Sequence, residues 1–140
     1  MNRSRVGLAN RGSRRDNVFH AMHLVRDDLI PKVADQVMLK PNFLSSKNQL
    51  ASSHADAIRG AIDFLLTCPD PPGEILIAEG GNEEHSGESF DNFGYPALVD
   101  EYDVQIRLVD LNQETEWETE TIYLHDRSEY QVHMPRTVLD

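Results

Sequence analysis

The sequence predicts an α/β protein with three layers and a mainly parallel central sheet, on three observations. Apolar runs of strand length alternate with segments of helical period. Two of those runs, Val37-Met38-Leu39 and Ile75-Leu76-Ile77-Ala78, are unbroken, as in strands buried on both faces. An amphipathic segment with its own start and stop signals separates them, which right-handed crossover rules turn into a parallel neighbour pair.

Taken in order, Val6-Gly7-Leu8-Ala9 is a short first strand candidate. Asp16 then stands as the cap of a helix carrying Val18, Met22, Val25 and Leu29 at i, i+4, i+7 and i+11, which stops before Pro31. Val37 to Leu39 reads as a central strand. Ser53 stands at the next cap position, Ile58, Ile62 and Leu65 follow at helical spacing, and Cys68-Pro69 closes that helix. Ile75 to Ala78 repeats the buried-strand pattern and runs into Glu79-Gly80-Gly81. A short helix over 86–93 ends at Gly94, and Pro96 suits the first turn of another that carries Leu98, Val99 and Tyr102. Val104, Ile106 and Leu108 alternate with Gln105 and Arg107, the period of a strand with one wetter face, nearer an edge. The stretch 112–120, with four glutamates and Trp117, reads as an acidic loop, and Thr121 to Leu124 and Tyr130 to Met134 pair across Asp126-Arg127-Ser128 as a hairpin near the C-terminus. Ending on Val138-Leu139-Asp140, the chain reads either as one domain over 1–140 or as the amino-terminal part of a larger, here incomplete, fold.

Composition narrows the function classes. The net charge is -11 and the mean hydropathy -0.50. Residues 1–73 hold 10 basic and 7 acidic side chains, and residues 74–140 hold 3 and 17. A nucleic-acid groove in the acidic half is excluded, since phosphate contacts need clustered Lys and Arg. The basic start over 1–15 lacks the interleaved aromatic residues of a base-stacking surface. No apolar run approaches a membrane span or a signal peptide, so no membrane partner and a cytoplasmic location are expected. One cysteine, Cys68, excludes an internal disulfide and an iron–sulfur cluster carried by this chain.

In an open parallel sheet, ligands bind beyond the carboxyl ends of the strands. Those ends carry Lys40-Pro41-Asn42, Glu79-Gly80-Gly81-Asn82 and Asp110-Leu111-Asn112. Lys40, Asn42, Asn82 and Asp110 are therefore the ligand-binding candidates, for a small polar molecule. Glu79 and Asp110 are the metal candidates, with magnesium, a cation that takes oxygen ligands, as the implied cofactor. His54 and Glu79 are the candidates for general base, with Lys40 stabilising developing negative charge. The alternative reading pairs Lys40 with Glu79 across neighbouring strand ends and gives Asn42 a turn to cap. Gly80-Gly81 lacks both the dinucleotide fingerprint and the Walker spacing, and Glu83 and Glu84 follow at once. His20 and His23 stand i, i+3 on one helix, off the usual zinc geometry. Whether the chain is an enzyme stays open. The rival to a ligand site is an acidic interaction module that docks on a basic redox or carrier partner, and the hairpin edge leaves room for a homo-oligomer or a separate chain completing the fold.

Lys40-Pro41-Asn42 after a buried strand, Ser52-Ser53-His54 opening a helix, Glu79-Gly80 closing the next strand, and Gly94-Tyr95 followed by Val109-Asp110-Leu111 together resemble the domain of unknown function 362 family. The resemblance runs from about Val37 to Leu139. It implies an uncharacterised prokaryotic protein, in a family some of whose members carry an appended ferredoxin-type iron–sulfur module, and it assigns no catalytic residue. Ala55 stands where family members usually have proline. Family chains are longer, with the segment from Pro135 leading into a further strand and a Lys-Thr-His motif absent from this sequence.

Overall fold

The computed structural model describes residues 4–81 and 86–139. Helix α1 (Arg14–Leu24) is capped by Ser13, whose side chain accepts the Asp16 N–H while the Asp16 carboxylate accepts the Ser13 N–H. Asp16, expected as the cap, is thus the third helical residue of a capping box. A turn at Val25 separates α1 from α2 (Arg26–Leu29), and a 3-10 turn containing Pro31 ends the segment as its proline requires. The strand expected at Val6 to Ala9 does not form. Residues 4–12 run as an irregular arm beside α1, with Val6 and Leu8 exposed and Arg5 paired to Asp28 at 2.6 Å.

Strands β1 (Gln36–Leu39), β2 (Glu74–Glu79) and β3 (Gln105–Asp110) form one parallel sheet in that order. β2 is the central strand and is buried from Ile75 to Glu79. β1, expected to be central, is an edge strand with Gln36 exposed and Val37 to Leu39 half-buried. Its apolar run reflects cover from the helices, since Val37 and Leu39 pack against the main cluster. β3 is the other edge, as its alternation predicts.

Between β1 and β2 runs α3 (Ala55–Leu66), which buries Ile58, Ile62, Phe64 and Leu65. Between β2 and β3 run α4 (Ser86–Asn92) and α5 (Ala97–Glu101), joined by Gly94 at φ 72°, a left-handed position that an L side chain resists. Register places Val37, Ile75 and Ile106 side by side, and with Leu39, Ile77 and Leu108 they meet the apolar side chains of α3 and α5 in one cluster. Phe43, Phe90 and Tyr95 close that cluster at the carboxyl end of the sheet, their rings edge to face at centroid distances of 5.0 to 5.6 Å. Leu76 and Ala78 point to the opposite face and are buried outside the cluster. A polar network ties the helices together: Arg15 forks onto Asp63 at 2.6 and 2.8 Å and reaches Glu101, which also takes Arg59.

The acidic loop expected over 112–120 is only partly a loop. Leu111–Gln113 is a 3-10 turn, and Trp117 already begins β4 (Trp117–Tyr123), which pairs antiparallel with β5 (Glu129–Pro135) before α6 (Arg136–Leu139). The hairpin is longer than its two apolar stretches suggest because the glutamates alternate with Trp117, Thr119 and Thr121, a period of two that acidity masks.

Candidate functional site

Parallel register brings the three strand ends to one edge. Glu79 lies beside Asp110, and Leu39 beside Ile77, so that Lys40 leaves the sheet next to the end of β2. Pro41 is buried there and forces the extended exit. The Lys40 ammonium forms an ion pair with Glu79 Oε2. The two partners are unequally solvated: the Glu79 side chain is 8% exposed and the Lys40 side chain 58%. Glu79 Oε1 accepts the Gly81 N–H at 2.9 Å, so both carboxylate oxygens are engaged.

Asp110 caps the 3-10 turn that follows β3, its Oδ1 accepting the Asn112 N–H at 3.0 Å. Missing side chains make room for this corner. A Cβ on Gly80 would stand 3.1 Å from Asn112 Oδ1, and one on Gly87 would stand 3.3 Å from Asp110 Oδ2. Asn112, which the sequence placed at this strand end without a role, and Gly87, which it did not single out, therefore belong to the same corner. Asn82 lies outside the described residues, as do Glu83 and Glu84.

Asn42 and His54 join one another through Ser53. The Asn42 N–H donates to Ser53 Oγ at 3.0 Å, and Asn42 O accepts the Ser53 N–H at 2.8 Å. The Asn42 side chain turns to the Ala51 carbonyl, as the turn-capping alternative required. His54, and not Ser53, caps α3: its Nδ1 accepts the Asp56 N–H at 3.0 Å. With Nδ1 accepting, the neutral ring carries its hydrogen on Nε2. In this arrangement His54 offers a donor at Nε2, which weighs against the role of general base expected of it.

Tyr95 links the two halves. Wholly buried, it donates its hydroxyl to the Ser53 carbonyl at 3.1 Å, and burial, with the nearby Glu79 charge, pushes its phenol well above the ordinary tyrosine range. Periodicity could not have found it, because it follows a glycine between two short helices. The usable signals were a polar aromatic beside a helix stop and the place of Gly94-Tyr95 in the family resemblance. Cys68 is buried, and burial pushes its thiol up, away from the thiolate that would make it reactive. Among the described residues no three His, Cys, Asp or Glu side chains come together as a metal-binding group. Nor, among the described residues, is any helix long and apolar enough to cross a membrane. A cleft of about 460 Å³ lies elsewhere, between the arm and α1, lined by Leu8, Arg11, Asn17 and His20 among others, and contains none of these candidates.

The family model described as domain of unknown function (DUF362) matches residues 37–140. The chain belongs to the DUF362 family. The DUF362 match begins within β1 and contains all of Lys40, Asn42, His54, Glu79 and Asp110, whereas the arm, α1 and α2 precede it. No curated protein and no solved structure matches the chain. Within DUF362, the strand-end corner lies in the matched residues and combines a buried charge with close backbone approach.

Proposed function

We propose that this DUF362 chain binds a small polar ligand, or magnesium with a ligand, at the carboxyl ends of β1 to β3. The observation that carries the reading is the Lys40–Glu79 pair, a buried carboxylate whose cation is left half in water at the strand edge. Such a pair meets a ligand of mixed polarity with both signs at once: the solvated side of the Lys40 ammonium takes an anionic group without leaving Glu79, and Glu79 and Asp110 offer oxygens to a hard cation or to hydroxyl and amine donors. Asn42 and Asn82 flank that edge in sequence and supply amides of either polarity. If the bound molecule reacts, Glu79 is the base, Lys40 stabilises the negative charge that develops, and His54 serves through its Nε2 donor.

Thermal-shift measurements test this directly, with magnesium chloride, manganese chloride and a panel of phosphorylated and carboxylated metabolites. A compound at 100 times its dissociation constant adds about 2.7 kcal/mol of stability. Glu79→Gln and Asp110→Asn should abolish that increment while leaving a cooperative melt. An increment of equal size in wild type and both variants would refute the site, and so would the lack of any stabilising compound across the panel.

A further inference from the structure

The β4–β5 ribbon is the least covered element of the molecule. Every residue of β4 is exposed, and in β5 only Val132, Met134 and Pro135 are half-buried, yet the register gives the faces distinct characters. One face carries Ile122 opposite Tyr130, Val132 opposite Glu120, and Met134 opposite Glu118. A two-stranded ribbon is marginal in water without cover for its apolar side. Here the apolar strip is framed by glutamates. On that face Glu120 makes no ion pair among the described residues, and Glu118 meets Arg136 at 3.9 Å.

The same molecule displays a surface of the opposite kind. The arm over residues 4–12 holds Val6 and Leu8 outward, 88% and 81% exposed, while Arg5 anchors it to Asp28. Beside it stand Arg11 and Arg14, exposed and without an ion pair among the described residues. Helix α1, on which the arm lies, contributes no fully buried residue. Apolar side chains next to the guanidinium groups of Arg11 and Arg14 complement an apolar strip flanked by the carboxylates of Glu118 and Glu120. This is the local form of the asymmetry that leaves 10 basic and 7 acidic side chains in residues 1–73 but 3 and 17 in the remainder.

We propose that the Ile122–Tyr130–Val132–Met134 face of the ribbon docks on the arm and the start of α1 of a second copy of this chain. Face-to-face packing of two ribbons would set Glu118 and Glu120 against their own copies, and like charges in contact are destabilising. Docking on the arm instead pairs those carboxylates with Arg11 and Arg14 and covers Val6 and Leu8. The contact joins unlike surfaces, and it closes as a dimer when each copy gives a ribbon and receives one. The proposal stands apart from the strand-end ligand site, since it uses none of its residues.

Sedimentation velocity across a concentration series, at ~20 mM and ~500 mM salt, reads the association and its screening. The expected result is self-association at low salt that weakens about tenfold or more at high salt. R11E/R14E and E118R/E120R should each sediment as monomers, and an equimolar mixture of the two should associate again, because the swapped charges complement across copies. Far-ultraviolet dichroism shows that each variant is folded; glutamate at the start of α1 suits a helix N-terminus. A wild-type chain that stays monomeric at low salt overturns the proposal. So does association that survives R11E/R14E but is lost in Ile122→Lys, which would mean ribbon against ribbon, and so does a mixture that fails to associate.

Discussion

Replacing Lys40 by methionine should cost far more stability than replacing Glu79 by glutamine, although both changes cut one ion pair. Lys40 is 58% exposed, so in Glu79→Gln its ammonium returns to water, and the glutamine oxygen keeps the Gly81 N–H satisfied. That loss should be no more than about 1 kcal/mol, the scale of a solvated pair. In Lys40→Met the carboxylate stays 92% buried by its surroundings and keeps one backbone donor but no cation. Orphaning a buried charge costs about 3–5 kcal/mol, and the half-solvated position of the lost lysine argues for the lower end, about 2–4 kcal/mol. For a chain of this size a kilocalorie corresponds to about 3–5 °C in Tm, so the expected shifts are at most about 5 °C for Glu79→Gln and roughly 6–20 °C for Lys40→Met. The double variant should recover most of the difference, because methionine beside glutamine leaves no charge unpaired. Urea and thermal melts of the four proteins complete the cycle. Equal losses in the two single variants, or a larger loss in Glu79→Gln, would show that the Glu79 carboxylate is solvated, and the reasoning would fail.

Tyr95→Phe should lose about 1 kcal/mol by urea melt, since the Ser53 carbonyl keeps a second donor in Gln49 Nε2 at 3.2 Å and is not orphaned. Gly94→Ala should cost about 1–2 kcal/mol in the same assay, because φ is 72° there while the space beside the Cα is open, so the loss is conformational. The Tyr102 hydroxyl, pushed up to about 12 by burial and by the Asp63 charge it touches at 3.2 Å, favours the folded state only while protonated. Its contribution is fully present below ~10, the value of a free tyrosine, and is lost as pH rises through about 12. A stability-against-pH curve for Tyr102→Phe should lack that alkaline loss.

The sequence was most legible where one physical requirement dominates. Ile75 to Ala78 had to be buried on both faces, and it is the central strand. Lys40, Glu79 and Asp110 follow strands that run the same way, so parallel pairing alone delivers them to one edge whatever the strand order. The central position expected for β1 failed because an apolar run reports burial, and helices supply that burial to an edge strand as well as neighbouring strands do. The caps failed by one to three residues for a different reason. Ser13 and Asp16 are both good caps, as are Ser53 and the atom His54 Nδ1 provides, and the choice falls to whichever acceptor reaches an unpaired N–H once the tertiary contacts are in place.

That one-residue difference at the start of α3 changes the chemistry assigned to the corner. Had Ser53 been the cap, His54 would sit inside the first helical turn with both ring nitrogens free, and the positive end of the helix would favour a neutral base. With His54 as the cap, its Nδ1 lone pair is spent on the Asp56 N–H, and Asp56 Oδ2 stands 3.4 Å from the same nitrogen. Ser53 is released to hold Asn42 through both its backbone and its hydroxyl, and its carbonyl is held in turn by Tyr95. The loop between β1 and α3 is thereby closed on itself by two hydrogen bonds and tied by a third to the buried Tyr95, and the carboxylates left at the strand edge are those of Glu79 and Asp110. If the proposed site is catalytic, its base is to be sought among these carboxylates, with the histidine as a donor and a fixed corner of the scaffold.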